Sequence, residues 1–261
     1  AAVGTALPES MVPLIAFMSG GIDAVDIGIG AILGAPFMLG TLAMFITGFA
    51  AWILRGRKTG RKIMHVDAVD MKQDLRFFIC MYLLVIAAAF LPQWSKRYIA
   101  ILLILSYVRY AWNVAHSGNA ISDDNLRPLY FSRRVTPSWF LILLQFGLGL
   151  GAIAGGAEYF VAGISRTAEL YGMHPLVLSM IIAPIATELP EKFNSVIWVS
   201  QGKDRLALGN ITGAMAFQST MIPAMGMLLC DWTLTLSAGI SSMFLLFSTA
   251  GLYITVCRKQ C

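Results

Sequence analysis

The chain has 261 residues, 57% of them apolar and 13% charged, with a mean hydropathy of +0.72. Soluble domains run at about 45–50% apolar and about 25% charged, so too little polar surface remains to cover a water-soluble globule, and the bilayer is the better solvent. A net charge of +5 in so apolar a chain reads as loop charge that fixes membrane orientation, with nucleic-acid binding the weaker reading. Cys80, Cys230, Cys257 and Cys261 show no C-x-x-C spacing, which signals neither zinc nor a disulfide framework. The amino end lacks a basic stretch followed by an apolar core, so no cleavable signal peptide is read there. The chain opens at Ala1 rather than Met, inside a motif, and is read as a fragment.

Crossing the hydrocarbon as a helix takes about 20 apolar residues. On that ruler the sequence predicts a half-helix at about 9–19, then spans at about 26–54, 75–92, 97–116, 138–163, 174–200, 206–229 and 232–256. Two polar segments, 55–74 and 117–137, separate them. These loops hold Arg55, Arg57, Lys58, Arg61, Lys62, Arg133 and Arg134, and the excess of basic residues assigns them to the cytoplasm. Trp52, Trp112 and Trp139 near the inner ends, with Trp94, Tyr98 and Trp232 near the outer ends, form the two aromatic belts such a protein needs.

Self-comparison is the most informative step. Gly4-Thr5-Ala6-Leu7-Pro8-Glu9 recurs as Ala186-Thr187-Glu188-Leu189-Pro190-Glu191. The context recurs too, since Gly30-x-x-x-Gly34-Ala35 follows the first string and Gly209-x-x-x-Gly213-Ala214 the second. Each copy is expected to be a broken helix, a short turn and a small-residue helix. The turn at 20–25 falls on the poorly charged side and the turn at 200–205, with Lys203 and Arg205, on the basic side, so the copies are inverted. Inverted repeats with interrupted helices are a recurrent plan of secondary transporters.

Pro8 and Pro190 each free backbone carbonyls at membrane depth. Such carbonyls are costly in hydrocarbon unless they face a cavity or an ion. Glu9 and Glu191 add a charge that costs at least ~2.5 kcal/mol at a helix centre. Two such costs at mirrored positions point to function, and carbonyl and carboxylate oxygens are the hard ligands that Ca²⁺ and Na⁺ prefer. Glu188 lies three residues before Glu191 and can share its face; a selectivity or proton-coupled role stands against a local ion pair with Lys192. The small stripes of Gly30, Gly34, Gly209 and Gly213 would let the helix backbones approach. His65, His116 and His174 sit at loops or span ends and are assigned no ligand role.

At these residues the sequence resembles the cation/calcium antiporter superfamily, of the sodium/calcium exchanger type. Thr5-Ala6-Leu7-Pro8-Glu9 and Thr187-Glu188-Leu189-Pro190-Glu191 match its two repeat strings, and Leu206-Ala207-Leu208-Gly209-Asn210 through Gly213 resembles the helix after the second. The likeness covers nearly the whole chain and identifies it with the second to ninth of the family's usual ten spans. It implies exchange of Ca²⁺ against Na⁺ by alternating access, Glu9 and Glu191 as central Ca²⁺ ligands, Thr5 and Thr187 helping to hold Na⁺, and Gln218 at a later ligand position. Departures stand at Ala6 and Glu188, Ala35 and Ala214, Pro36 and Met215, and Leu39, where the family carries polar ligands. They leave the counter-ion open between Na⁺ and H⁺.

The expected fold is therefore all-α, a polytopic membrane protein with two inverted-topology repeats. Its expected divisions are the first repeat at 1–54, two spans with cytoplasmic loops at 55–137, the second-half span and second repeat at 138–229, and the last span and tail at 230–261. Its ligands are inorganic cations, Ca²⁺ and Na⁺ or H⁺, with no covalent cofactor; membrane lipid surrounds it, no nucleic acid binds it, no catalytic residue is assigned, and the oligomeric state stays open. A prokaryotic inner membrane is the expected location. The rival reading is a membrane sensor or assembly protein that kept the fold without transport.

Overall fold

The computed structural model describes residues 7–58, 67–116 and 138–258, the side chains of 54–58 excepted. Apart from the turns between helices those residues are helical, without a strand. In chain order the helices are α1 (Leu7–Ser19), α2 (Ile22–Met38), α3 (Met44–Lys58), α4 (Ala68–Ala88), α5 (Gln93–His116), α6 (Trp139–Tyr171), α7 (Pro175–Thr187), α8 (Leu189–Ser200), α9 (Asp204–Gln218), α10 (Met221–Leu229) and α11 (Leu236–Arg258). A π-turn at Leu39–Ala43 joins α2 to α3 without a loop. The predicted loop at 117–137 and residues 59–66 of that at 55–74, including His65, lie outside the described residues, while 68–74 belong to α4.

Among the described residues, four helices are long and apolar enough to cross a bilayer: Ile22–Ile53, Gln93–His116, Trp139–Tyr171 and Leu236–Arg258. The other predicted spans resolve differently, for physical reasons. The span expected at 174–200 is split at Glu188, the single non-helical residue between α7 and α8. Pro184 and Pro190 flank that point, and each lacks the N–H that would continue the ladder. The span expected at 206–229 is also split, at Ser219–Thr220, which the apolar pattern does not reveal. There the Thr220 hydroxyl donates to the Ala216 carbonyl at 2.6 Å. In the matching helix of the first half, Thr41 donates to the Phe37 carbonyl at 2.6 Å inside the π-turn. Hydroxyls that bond back to the preceding turn loosen a helix at that point, and here they do so at corresponding places in the two copies.

α1 and α8 are alike in their first turns, which carry Leu7-Pro8-Glu9 and Leu189-Pro190-Glu191. Each leads through a glycine-bearing turn into a further helix, with Gly20 at φ +73° and Gly21 at φ +95° in one and Gly202 at φ +79° in the other. Only glycine adopts such angles without steric cost.

α2 is the centre of the molecule and packs most extensively on α7. A Cβ on Gly30 would collide with the Leu176 carbonyl, and one on Gly34 with the Met180 carbonyl. The main core spreads from there through Ile32, Leu33, Phe78, Tyr82, Met215, Trp232 and Leu245. A smaller core joins α1, α2, α6 and α7 through Val12, Ile27, Val161 and Leu178. α5, α6 and α11 turn apolar faces outward, as Leu105, Phe146, Leu148 and Phe247 show, which is how a lipid-facing helix looks without lipid. α6 has 33 residues, about 50 Å at 1.5 Å per residue, against a hydrocarbon core of about 30 Å. It runs beyond the predicted 138–163 span and stops at Gly172 in the left-handed conformation.

Gly34→Ala is expected to lower stability by about 1–3 kcal/mol, the cost of overpacking a backbone contact. Gly151→Ala, where nothing lies within 4 Å, should change it by less than about 1 kcal/mol and in the stabilising direction. Thermal unfolding of both variants in detergent checks the contrast.

Candidate functional site

The helix breaks gather charged groups in the interior. Glu9 on the first turn of α1, Glu188 at the α7–α8 break and Glu191 on the first turn of α8 each offer a carboxylate oxygen, and the three oxygens lie within 4.8 Å of one another. Glu9 is 8% exposed and Glu188 fully buried, while Glu191 is partly open. Both helix starts aim backbone N–H groups and the positive end of the helix dipole at the first turn, which favours a carboxylate there.

Gln218, the last residue of α9, reaches into the same place. Its Nε2 donates to Glu9 Oε2 at 2.7 Å and also to Glu188 Oε1. One amide thus ties α1 to the α7–α8 break. Lys192 completes the set from α8, with Nζ 3.4 Å from Glu188 Oε2 and 3.7 Å from Glu191 Oε2. Glu188 Oε2 and Gln218 Oε1 are buried and accept no hydrogen bond. Orphaned buried acceptors are rare and costly, and two of them beside three carboxylates make a donor set suited to a hard cation. Ca²⁺ takes 6–8 oxygen ligands from carboxylates, amides, carbonyls and water, and four of these side chains supply such oxygens.

Of the residues expected from sequence, Glu9, Glu188, Glu191 and Gln218 come together. Thr187 stands beside them, its hydroxyl donating to the Ala183 carbonyl at 3.0 Å. Thr5 lies outside the described residues. The four glycines divide: Gly30 and Gly34 seat α2 on α7, whereas Gly209 and Gly213 have no described atom within 4 Å of where a Cβ would stand.

A second polar cluster escaped the sequence reading. Asp74 of α4 accepts from the Thr212 hydroxyl of α9 at 2.5 Å and from the Tyr110 hydroxyl of α5 at 2.7 Å. Arg205, counted from sequence as an orientation charge, pairs with Asp70 at 2.6 Å and with Asp67 at 3.3 Å. The spacing Asp67-x-x-Asp70-x-x-x-Asp74 is the signal that could have found it, since it lines one helix face. The cluster ties α9 to α4 and α5 and so holds Gln218 at the pocket.

Residues 1–115 and 141–259 match the family model described as sodium/calcium exchanger protein. CaxA of Alkalimonas amylolytica, a candidate antiporter by name, is 27% identical over 262 residues, which is 98% of this chain and 77% of that protein. The sodium/calcium exchanger MaX1 of Methanosarcina acetivorans is 33% identical over 75 residues, 29% of this chain and 21% of that protein. The crystal structure of an H⁺/Ca²⁺ exchanger, CAX, superposes with a TM-score of 0.71 at 17% identity, over 95% of this chain and 65% of that one. The chain thus spans just under two thirds of that exchanger's length, and the likeness shows a shared fold. Fold and family are those of integral membrane transporters rather than enzymes.

Replacing Gln218 with Leu strips two buried carboxylates of their donor. A hydrogen bond to a charged group contributes about 1.5–3 kcal/mol, and Gln218→Leu is expected to lose at least that much in a detergent unfolding assay, more than Gln201→Leu on the exposed α8–α9 turn.

Proposed function

Because the chain belongs to the sodium/calcium exchanger protein family, we propose that it is a secondary cation antiporter that moves Ca²⁺ against Na⁺ or H⁺ by alternating access. Glu9 and Glu191 hold the divalent ion, Gln218 adds an amide oxygen, and Glu188, Thr5 and Thr187 stand at the monovalent positions. The observation that carries this reading is the convergence, within 4.8 Å, of Glu9 and Glu191 from two Leu-Pro-Glu strings far apart in sequence together with Glu188.

Exchange follows from sharing. Carboxylates buried this well are costly without a cation, so the pocket favours being filled whichever way it opens. Ions that use the same oxygens displace one another, and the gradient of one drives the other. A ligand shifts a conformational equilibrium only by its differential affinity for the two states; a site formed by α1, the α7–α8 break and the end of α9 changes geometry if these elements move relative to one another. The inverted relation of the two repeats and sliding of α2–α3 and α6 past this core belong to the same proposal. So does a prokaryotic inner membrane, with the 55–74 and 117–137 loops cytoplasmic, which the clustering of Lys and Arg there supports.

Uptake of labelled Ca²⁺ into vesicles that contain the full-length protein tests this. Glu9→Gln and Glu191→Gln should each reduce gradient-driven uptake to the level of protein-free vesicles. Imposing a Na⁺ gradient and a pH gradient separately identifies the counter-ion. Absence of uptake under either gradient, or uptake indifferent to both substitutions, overturns the proposal in favour of a non-transporting membrane sensor or assembly protein.

A further inference from the structure

Lys192 is not called for by a cation site, and a buried ammonium in the middle of one asks for an account. Its side chain is 2% exposed. It stands four residues after Glu188, and helix pairs at that spacing are common at wet surfaces, where they contribute little. This pair is different, because Glu188 is fully buried as well. The ammonium lies 3.4 Å from Glu188 Oε2 and 3.7 Å from Glu191 Oε2, and neither Nζ nor Glu188 Oε2 has a hydrogen-bond partner. A positive charge held between two carboxylates without directional bonds behaves as a bare alkali ion would.

The charge count gives the arrangement its meaning. Glu9, Glu188 and Glu191 carry three formal negative charges and Lys192 one positive, which leaves two negative. One divalent ion neutralises that remainder. Were Lys192 neutral, the same carboxylates would require a monovalent cation as well.

We propose that the Lys192 ammonium is a tethered counter-ion, permanently filling the position beside Glu188 that an exchanged monovalent cation would otherwise occupy, and so setting how many such ions move per divalent ion. The inference rests on the exchange function proposed above. It makes Glu188 the partner of Lys192 and leaves Glu9 and Glu191 to exchange their ligand.

Ca²⁺ binding and uptake by the full-length protein in vesicles test it. Glu188→Gln alone leaves one net negative charge and should weaken Ca²⁺ binding roughly tenfold or more. Adding Lys192→Met restores two negative charges and should return affinity to within about threefold of the unaltered protein. Lys192→Met alone frees Glu188 for a soluble cation, so inhibition of Ca²⁺ binding by Na⁺ or Li⁺ should steepen by about one ion, whereas Lys192→Arg keeps the original slope. Should Lys192→Met alone not yield a folded protein, the Glu188→Gln/Lys192→Met pair, which keeps the net charge of the unaltered site, decides the question. A double variant that binds no better than Glu188→Gln makes Glu188 a direct ligand and overturns the proposal, as does an unchanged slope in folded Lys192→Met. Glu9-dependent uptake without the rescue sinks the tethered counter-ion only; loss of Glu9 dependence sinks the exchange function itself.

Discussion

Removing a carboxylate from water costs several kcal/mol even after the protein relaxes around it. This protein does so with Glu9 and Glu188 and nearly so with Glu191, and much of the architecture follows from offsetting that cost. The breaks put Glu9 and Glu191 in first turns, where unsatisfied N–H groups and the helix dipole favour negative charge. Gln218 spends one amide nitrogen on two carboxylates, and Lys192 brings an ammonium. None of these partners saturates the oxygens. A pocket left short of partners in this way is what the proposed cation site requires.

The rest of the helix arrangement sets the distance between the parts. α2 is pressed against α7 because glycine stands where any side chain would strike a carbonyl, and that contact fixes the first half of the molecule to the segment leading into Glu188. α9 is held at both ends. Its first turn is paired to α4 through Arg205, its middle through Thr212 and Asp74, and its last residue enters the pocket. The irregular turns at Leu39–Ala43 and Ser219–Thr220 are the points where these two central helices depart from straightness. Hinges of a moving transporter are drawn from such places.

How much of this was legible beforehand depends on the kind of interaction. Span positions follow from apolar run length, a local property, and the predicted starts and ends fall within a few residues of the helices at 93–116 and 236–258. The Leu189-Pro190-Glu191 string marks the α7–α8 break because proline acts on its own turn, and its copy Leu7-Pro8-Glu9 lies in the first turn of α1. Glu9, Glu191 and Gln218 were reached through that repeat and the family likeness it carries. By contrast the break at Ser219–Thr220 leaves no mark on hydropathy, since a hydroxyl bonding back to its own helix is invisible to an apolar count. What each glycine pair meets is equally hidden: Gly30-x-x-x-Gly34 and Gly209-x-x-x-Gly213 have the same spacing, and only the fold shows the Leu176 and Met180 carbonyls standing against the first.

Sequence by itself determined the solvent, the helical class, the position of the breaks and the residue types at them, because hydropathy, proline chemistry and internal repetition are written along the chain. Tertiary structure alone decided that the carboxylates from both strings meet, that Gln218 bridges two of them, that Lys192 faces inward to Glu188 and Glu191, and that Arg205 and Asp74 brace α9. Those are through-space facts. Electrostatic energy depends on distance and on burial, and neither exists for a pair of residues until the chain between them has folded.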